Sequence, residues 1–203
     1  MRIGVDLDNT IISYEAAFVS AAKDMGYLGS SRVSSRNELK AHLLKQSGGE
    51  ISWQRLQGYV YGKGIGLAEL YSGAIDFFRL CRARGVFVTI VSHKTLYGHF
   101  DDGGVNLRKS ALGWLEGKGF FAEACLGLSP GSVYFESTRA KKISRISSLD
   151  LTHFIDDLPE VLLDQAMPKE IEKLYFSPDR DGAPAGGLSV CKSWGDVSRR
   201  CFN

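Results

Sequence analysis

The run Val86–Val91 constrains this chain more than any other stretch. It is mostly β-branched, apolar but for the hydroxyl of Thr89, and bounded by Gly85 and Ser92. A strand without polar alternation has no face to give to water, so it belongs inside a parallel sheet covered on both sides. Parallel neighbours need long crossovers, usually helices. The chain supplies them. Arg2–Leu7 reads as a first strand, with further strands at Ser132–Phe135, His153–Ile155, Lys173–Phe176 and Leu188–Cys191. Helical spacing fits Ala74–Ala83, Asn106–Lys118, Thr138–Ser148 and Pro159–Gln165, and Ser193 with Asp196 forms a capping box for a last helix. This is an α/β chain with a mostly parallel, Rossmann-like sheet.

One break interrupts the rhythm. Between Leu7 and Val86 no core strand is evident, only helical patterns at Tyr14–Met25, Arg36–Gln46 and Ile51–Tyr61 among Gly/Ser-rich segments. A helical insertion after the first strand accounts for this better than a structureless loop. With 203 residues and domains of typically 100–200, one domain plus an insertion fits the length. The boundaries read as residues 1–12 and 73–203 for the core and 13–72 for the insertion.

Composition excludes several function classes. Lys+Arg 25 against Asp+Glu 23 is too balanced for a nucleic-acid or membrane-surface binder. No apolar run approaches the roughly 18 residues of a membrane span, and Asp6 and Asp8 would fall inside any signal-peptide core. Cys81, Cys125, Cys191 and Cys201 form no C-x-x-C pair. They read as reduced thiols of a cytoplasmic protein, Cys81 being a small core hydrophobe. Nothing in the sequence sets the oligomeric state.

Open α/β sheets carry their sites at the carboxyl ends of the strands. Those ends hold Asp6-Leu7-Asp8-Asn9-Thr10, Ser92-His93-Lys94 and Asp156-Asp157. Converging carboxylates repel, by about 1 kcal/mol per pair at 4 Å in water and several-fold more in a drier cleft. A cation among them relieves this. Oxygen donors without a His/Cys cluster suit Mg²⁺ better than zinc or copper, and a metal beside serine and lysine donors suggests a phosphate group.

These residues resemble the motifs of the haloacid dehalogenase superfamily. Its D-x-D-x-T follows the first strand as Asp6 to Thr10. Its apolar strand ending in Ser or Thr matches Val86–Val91 with Ser92, its helical Lys matches Lys141 or Lys142, and its strand ending in paired acids matches Phe154 to Asp157. The resemblance implies Asp6 as the nucleophile and Asp8 as general acid and base. It implies Asp6, the backbone carbonyl of Asp8 and Asp156 as Mg²⁺ ligands, with Asp157 as a ligand or as a residue orienting one. Ser92 and Lys142 would bind the phosphoryl oxygens. Because Asp8 is present, the resemblance points to phosphoryl chemistry rather than dehalogenation.

The 84 residues from Asp8 to Ser92, against 50 from Ser92 to Lys142, place the family's cap in the first interval, where it would cover the cleft and choose the leaving group. The expected activity is Mg²⁺-dependent hydrolysis of a small phosphorylated metabolite through an aspartyl-phosphate. A phosphotransferase or phosphomutase using the same intermediate, or a non-enzymatic phosphoryl-binding protein, are the alternatives. His93 and Lys94 are either substrate contacts or loop residues. Gly62-Lys63-Gly64-Ile65-Gly66 lacks the Ser/Thr and preceding strand of a phosphate loop; it is a cap hinge, a specificity loop or a plain flexible loop. Trp53, Tyr59 and Tyr61 read as cap core before substrate platforms.

Overall fold

The computed structural model describes residues 1–100, 103–178 and 186–203. In chain order its elements are β1 (Arg2–Val5), β2 (Ile12–Ser13), α1 (Glu15–Asp24), α2 (Arg36–Leu44), α3 (Gly49–Tyr61), a 3₁₀ turn (Lys63–Leu67), β3 (Glu69–Leu70), α4 (Ala74–Ala83), β4 (Phe87–His93) and α5 (Leu107–Gly117). A second 3₁₀ turn (Pro130–Ser132) precedes β5 (Val133–Glu136), α6 (Arg139–Ser147), β6 (His153–Asp156), α7 (Pro159–Leu162), β7 (Glu172–Phe176), β8 (Ser189–Cys191) and α8 (Trp194–Phe202). Six strands form one sheet in the order β5-β4-β1-β6-β7-β8, every neighbouring pair parallel. The α/β, Rossmann-like reading holds.

The chain divides into two compact units. The first contains Met1–Ile11, Leu70–Lys94 and Gly119–Asn203, the second Ile12–Glu69 and Thr95–Lys118. Strand alternation builds the first unit's two layers. On β7, Tyr175 joins Val91, Phe154, Ile143 and Ile146 in a buried cluster beneath α6 and α7. The next residue, Phe176, turns to the opposite layer, its ring 5.5 Å from Trp194 of α8. Trp194 in turn meets Phe77 of α4 at 5.0 Å. Gly4 of β1 lies beneath Phe154; a Cβ there would stand 2.4 Å from Leu151 and 2.6 Å from Phe154, so only glycine fits.

In the second unit, Phe18 of α1 stacks on Trp53 of α3 at 5.0 Å, and Tyr61 meets Tyr14 edge-on at 4.8 Å. Trp53 is therefore a core residue there, while Tyr59 and Tyr61 are both half-buried. The Gly62–Gly66 stretch enters the first 3₁₀ turn, with Gly64 closed in by the Tyr59 ring. The second unit differs from the expected insertion in taking in α5. That helix turns Leu107, Ala111 and Leu115 inward, and Trp114 Nε1 donates to the Ala68 carbonyl at 3.2 Å. Its amphipathic pattern specifies a buried face but not which layer receives it.

The helix expected at Pro159–Gln165 stops at Leu162. Asp164 explains this: its carboxylate accepts from Ala166 N at 3.0 Å, a local bond that competes with helix continuation. Ser193 does cap α8, accepting from Asp196 N, but the Asp196 carboxylate accepts from Lys192 N rather than closing the box on Ser193 N. All four cysteines are free. Cys81 is buried, and burial pushes its thiol up to about 12. No helix among the described residues is long and apolar enough to cross a membrane.

Candidate active site

The site grows from the carboxyl ends of β1, β4 and β6, all in the first unit. Beyond β1 the chain turns sharply. Asp6 N donates to Ile155 O at 2.8 Å, and Asn9 adopts φ 60°, a left-handed conformation that asparagine tolerates better than most residues. Ile11 N then donates to Leu7 O, closing the turn. Thr10 locks it from within: its buried hydroxyl donates to Asp6 Oδ2 at 3.4 Å, and its carbonyl accepts from Trp194 Nε1 at 3.3 Å. The sequence marks Thr10 only as the last residue of a motif; the structure gives it a bracing role.

Lys142 settles between Asp6 and Asp156. Thr138 caps α6 by accepting from Lys141 N, and the apolar side of the helix carries Ile143 and Ile146 toward the sheet. Lys142 lies one helical turn before Ile146 and is drawn in with it, while Lys141 is exposed. The Lys142 ammonium donates to Asp6 Oδ1 and Asp156 Oδ2, each at 2.6 Å. The second oxygen of Asp156 accepts from Leu158 N at 3.0 Å, so this residue also fixes the approach to α7. Asp157 completes the cluster: among the described residues, Asp6, Asp156 and Asp157 each bring a carboxylate oxygen within 4.8 Å of the others.

The Asp8 carboxylate is not in that group. It pairs with Lys94, Nζ to Oδ2 at 2.8 Å. Lys94 continues the β4–β5 ladder by donating N–H to Glu136 O. It therefore shares a face with Ser92 two residues earlier, whereas His93 between them is exposed and has Nε2 3.2 Å from the Ser137 carbonyl. Ser92 is fully buried and its Oγ has no partner among the described residues. A buried hydroxyl left without a partner costs about 1–3 kcal/mol, and a ligand oxygen would satisfy it. The two-residue offset of Lys94 from Ser92 is the sequence signal that places it on this face.

The electrostatics are those of a site short of positive charge. Burial raises the Asp6 carboxyl, Lys142 pulls it down, and the Asp156 and Asp8 charges push it up again, leaving it at about 7. Burial likewise raises Asp156 and, more strongly, Asp157, whose acid neighbours add to the effect. Burial alone would lower Lys142, but Asp156 and Asp6 more than offset it and hold the ammonium charged. Four carboxylates thus face two ammonium groups, a deficit of two positive charges when all are ionised. A hard, oxygen-seeking divalent cation fits this donor set.

The same raised values carry a sign for stability. A carboxyl at about 7 in the folded chain, against 3.8 ordinarily, keeps a proton that the unfolded chain releases, so stability falls as pH rises between those values. Lys142 is charged in both states over that range and adds no slope. His153 opposes the trend, because burial lowers it, and His153→Gln removes that contribution. With chelator present, Tm of the His153→Gln protein should fall by several degrees between about pH 5 and pH 8, at roughly 2–4 °C per kcal/mol. Millimolar Mg²⁺ should flatten the slope. A Tm that rises across this window in chelator would contradict the assignment.

No family model and no curated relative matches this sequence. Solved structures do. A haloacid dehalogenase-like hydrolase from Streptococcus pneumoniae aligns over 99% of this chain and 97% of its own, with 14% identity and TM-score 0.61. The Mg²⁺-bound HAD-hydrolase YfnB from Bacillus subtilis aligns over 100% and 98%, at 13% and 0.61. Protein tyrosine kinase A of Mycobacterium tuberculosis aligns over 100% and 98%, at 12% and 0.66. The fold is that of the haloacid dehalogenase-like hydrolases.

Proposed function

We propose that this protein is an Mg²⁺-dependent phosphatase acting on a small phosphorylated metabolite through an aspartyl-phosphate. The observation that carries the reading is Lys142, buried and bonded at 2.6 Å to both Asp6 and Asp156, within a cluster of three carboxylates. A structural ion pair needs one acid; three acids around one lysine are a costly arrangement that makes sense where a cation and an anionic substrate complete it.

Asp6, Asp156 and the backbone carbonyl of Asp8 would hold the metal, with Asp157 as a further ligand or its orienter. When bound, the ion offsets charge on the phosphoryl group and on the carboxylates. Asp6 attacks phosphorus; the bond to the leaving oxygen breaks, and the electron pair goes to that oxygen, which takes a proton from Asp8. Asp8 then accepts a proton from water as the water oxygen attacks phosphorus, and the bond to Asp6 breaks to release phosphate. Ser92 Oγ and the Lys142 ammonium donate to the phosphoryl oxygens. We assign substrate choice to the second unit and a reducing, cytoplasmic setting to the free thiols.

A panel of phosphorylated metabolites and p-nitrophenyl phosphate, assayed for inorganic phosphate release, tests this. Turnover should vanish with chelator and return with added Mg²⁺. Undiminished turnover in excess chelator would remove the metal from the mechanism. Phosphate appearing on an added alcohol rather than in solution would make the protein a phosphotransferase.

A further inference from the structure

The mechanism above leaves one buried cation unused. Lys94 is 3% exposed, projects from the same side of the β4 end as Ser92, and bonds Asp8 Oδ2 at 2.8 Å. A lysine is seldom buried to this degree without a fixed partner, because desolvating an ammonium is expensive unless charge and hydrogen bonding compensate. Asp8 is only partly covered, its side chain 18% exposed, and it lies in an isolated β-bridge beyond the end of β1, just before the turn at Asn9 and Thr10. The bridge holds the Asp8 backbone, and the ion pair to Lys94 acts on the two side-chain torsions that set which oxygen faces the reaction.

We infer that Lys94 is the positioning residue for Asp8. It ties down Oδ2, so that Oδ1 is the atom that gives a proton to the leaving oxygen and takes one from water. The inference rests on the phosphatase reading and extends it to a residue for which sequence reasoning found no definite task. The lysine reaches Asp8 because the β4–β5 ladder runs one residue beyond β4, through Lys94 N to Glu136 O, and this fixes the stem from which the ammonium extends. The competing role is a second clamp on the phosphoryl group, in which Lys94 would act on the substrate directly.

The two roles separate by leaving group and by additivity. Single-turnover phosphorylation of the full-length enzyme is followed by rapid quench, using p-nitrophenyl phosphate and an alkyl phosphate. The first leaves readily without a proton; the second needs one. Lys94→Met should slow the alkyl phosphate by about 10²-fold and p-nitrophenyl phosphate by less than about 5-fold, within the range general acid catalysis supplies. In an Asp8→Asn background, Lys94→Met should cost nothing further, since the residue it acts through is already disabled. Lys94→Gln, which keeps a donor on a shorter stem, should be intermediate and serves where the methionine variant folds poorly.

Equal losses for both substrates, or losses that add to those of Asp8→Asn, would overturn the inference in favour of the phosphoryl clamp. Full activity of both Lys94 variants would overturn it outright. Wild-type enzyme that forms no phosphoenzyme with either compound would defeat the phosphatase reading, and this role with it.

Discussion

Asp6→Asn is expected to bring turnover to background while the protein stays folded, and Asp8→Asn to trap phosphate on Asp6. The two aspartates are two residues apart and chemically alike, yet the structure puts them in different surroundings. Asp6 is buried against Lys142 and stands among Asp156 and Asp157. Asp8 is partly exposed and paired with Lys94. On the proposed mechanism, replacing Asp6 removes the oxygen that attacks phosphorus, so no covalent intermediate should form. It also removes a buried charge from a crowded acidic cluster, so Tm should hold or rise, and lost activity will not be lost structure. On the same mechanism, replacing Asp8 leaves the nucleophile in place but takes away the proton that moves in each half-reaction, a contribution of about 10²–10⁴ in rate. With p-nitrophenyl phosphate the first half survives in part and the second slows. Intact-mass measurement after rapid quench should then show one added phosphoryl group in the Asp8 variant and none in the Asp6 variant. Near-normal turnover by Asp6→Asn, or a label on Ser92, would mean another group attacks phosphorus.

The parts of this architecture that were legible in the sequence are those governed by local physics. Most of Val86–Val91 had to be a covered strand, because a run with no polar alternation leaves little face for water, and the structure covers Val88–Val91 while leaving Phe87 at the strand's start exposed. Asp6 to Thr10 had to leave that layer at its carboxyl edge, and Asn9 marks the left-handed residue of the turn. What could not be read were choices made by partners distant in sequence. The pattern of α5 says that Leu107, Ala111 and Leu115 face something apolar, and only the tertiary structure shows that Trp114 bonds Ala68. The separation of Asp8 from the other acids is similarly invisible, since it depends on Lys94 arriving from another strand. An intermediate case is the choice between Lys141 and Lys142. Helix phase was available in the sequence: Lys142 is four residues before Ile146, on the apolar stripe, whereas Lys141 is in phase with Arg145. The basic character of the whole segment masked that signal.

That pair of lysines supplies the second large effect. Lys142→Met should abolish activity and destabilise the protein, whereas Lys141→Met should do neither. The Lys142 ammonium is 1% exposed and is the partner of two buried carboxylates. Methionine fills much of the same volume, so contact with the Phe154 ring is largely kept and the change isolates the charge. Without that charge, Asp6 and Asp156 repel each other with no cation between them. Removing the cation that a buried ionic set shares typically costs about 3–5 kcal/mol, because the carboxylates left behind keep their desolvation penalty and lose their compensation. The chain responds by protonating, and Asp6, already raised to about 7, moves higher. A protonated carboxyl is no nucleophile, so turnover should fall by at least about 10³-fold near neutral pH, as losing preorganised charge at a reacting oxygen does. Some recovery is expected at higher pH, where Asp6 ionises again, and with high Mg²⁺, which offers replacement charge; neither would follow from simple unfolding. Exposed Lys141 should shift stability by no more than about 0.5 kcal/mol. Chemical denaturation and steady-state phosphate release on both variants decide the matter. If Lys141→Met were the inactive one, or if Lys142→Met kept wild-type turnover, the lysine that serves the phosphoryl group would not be the one that bridges Asp6 and Asp156.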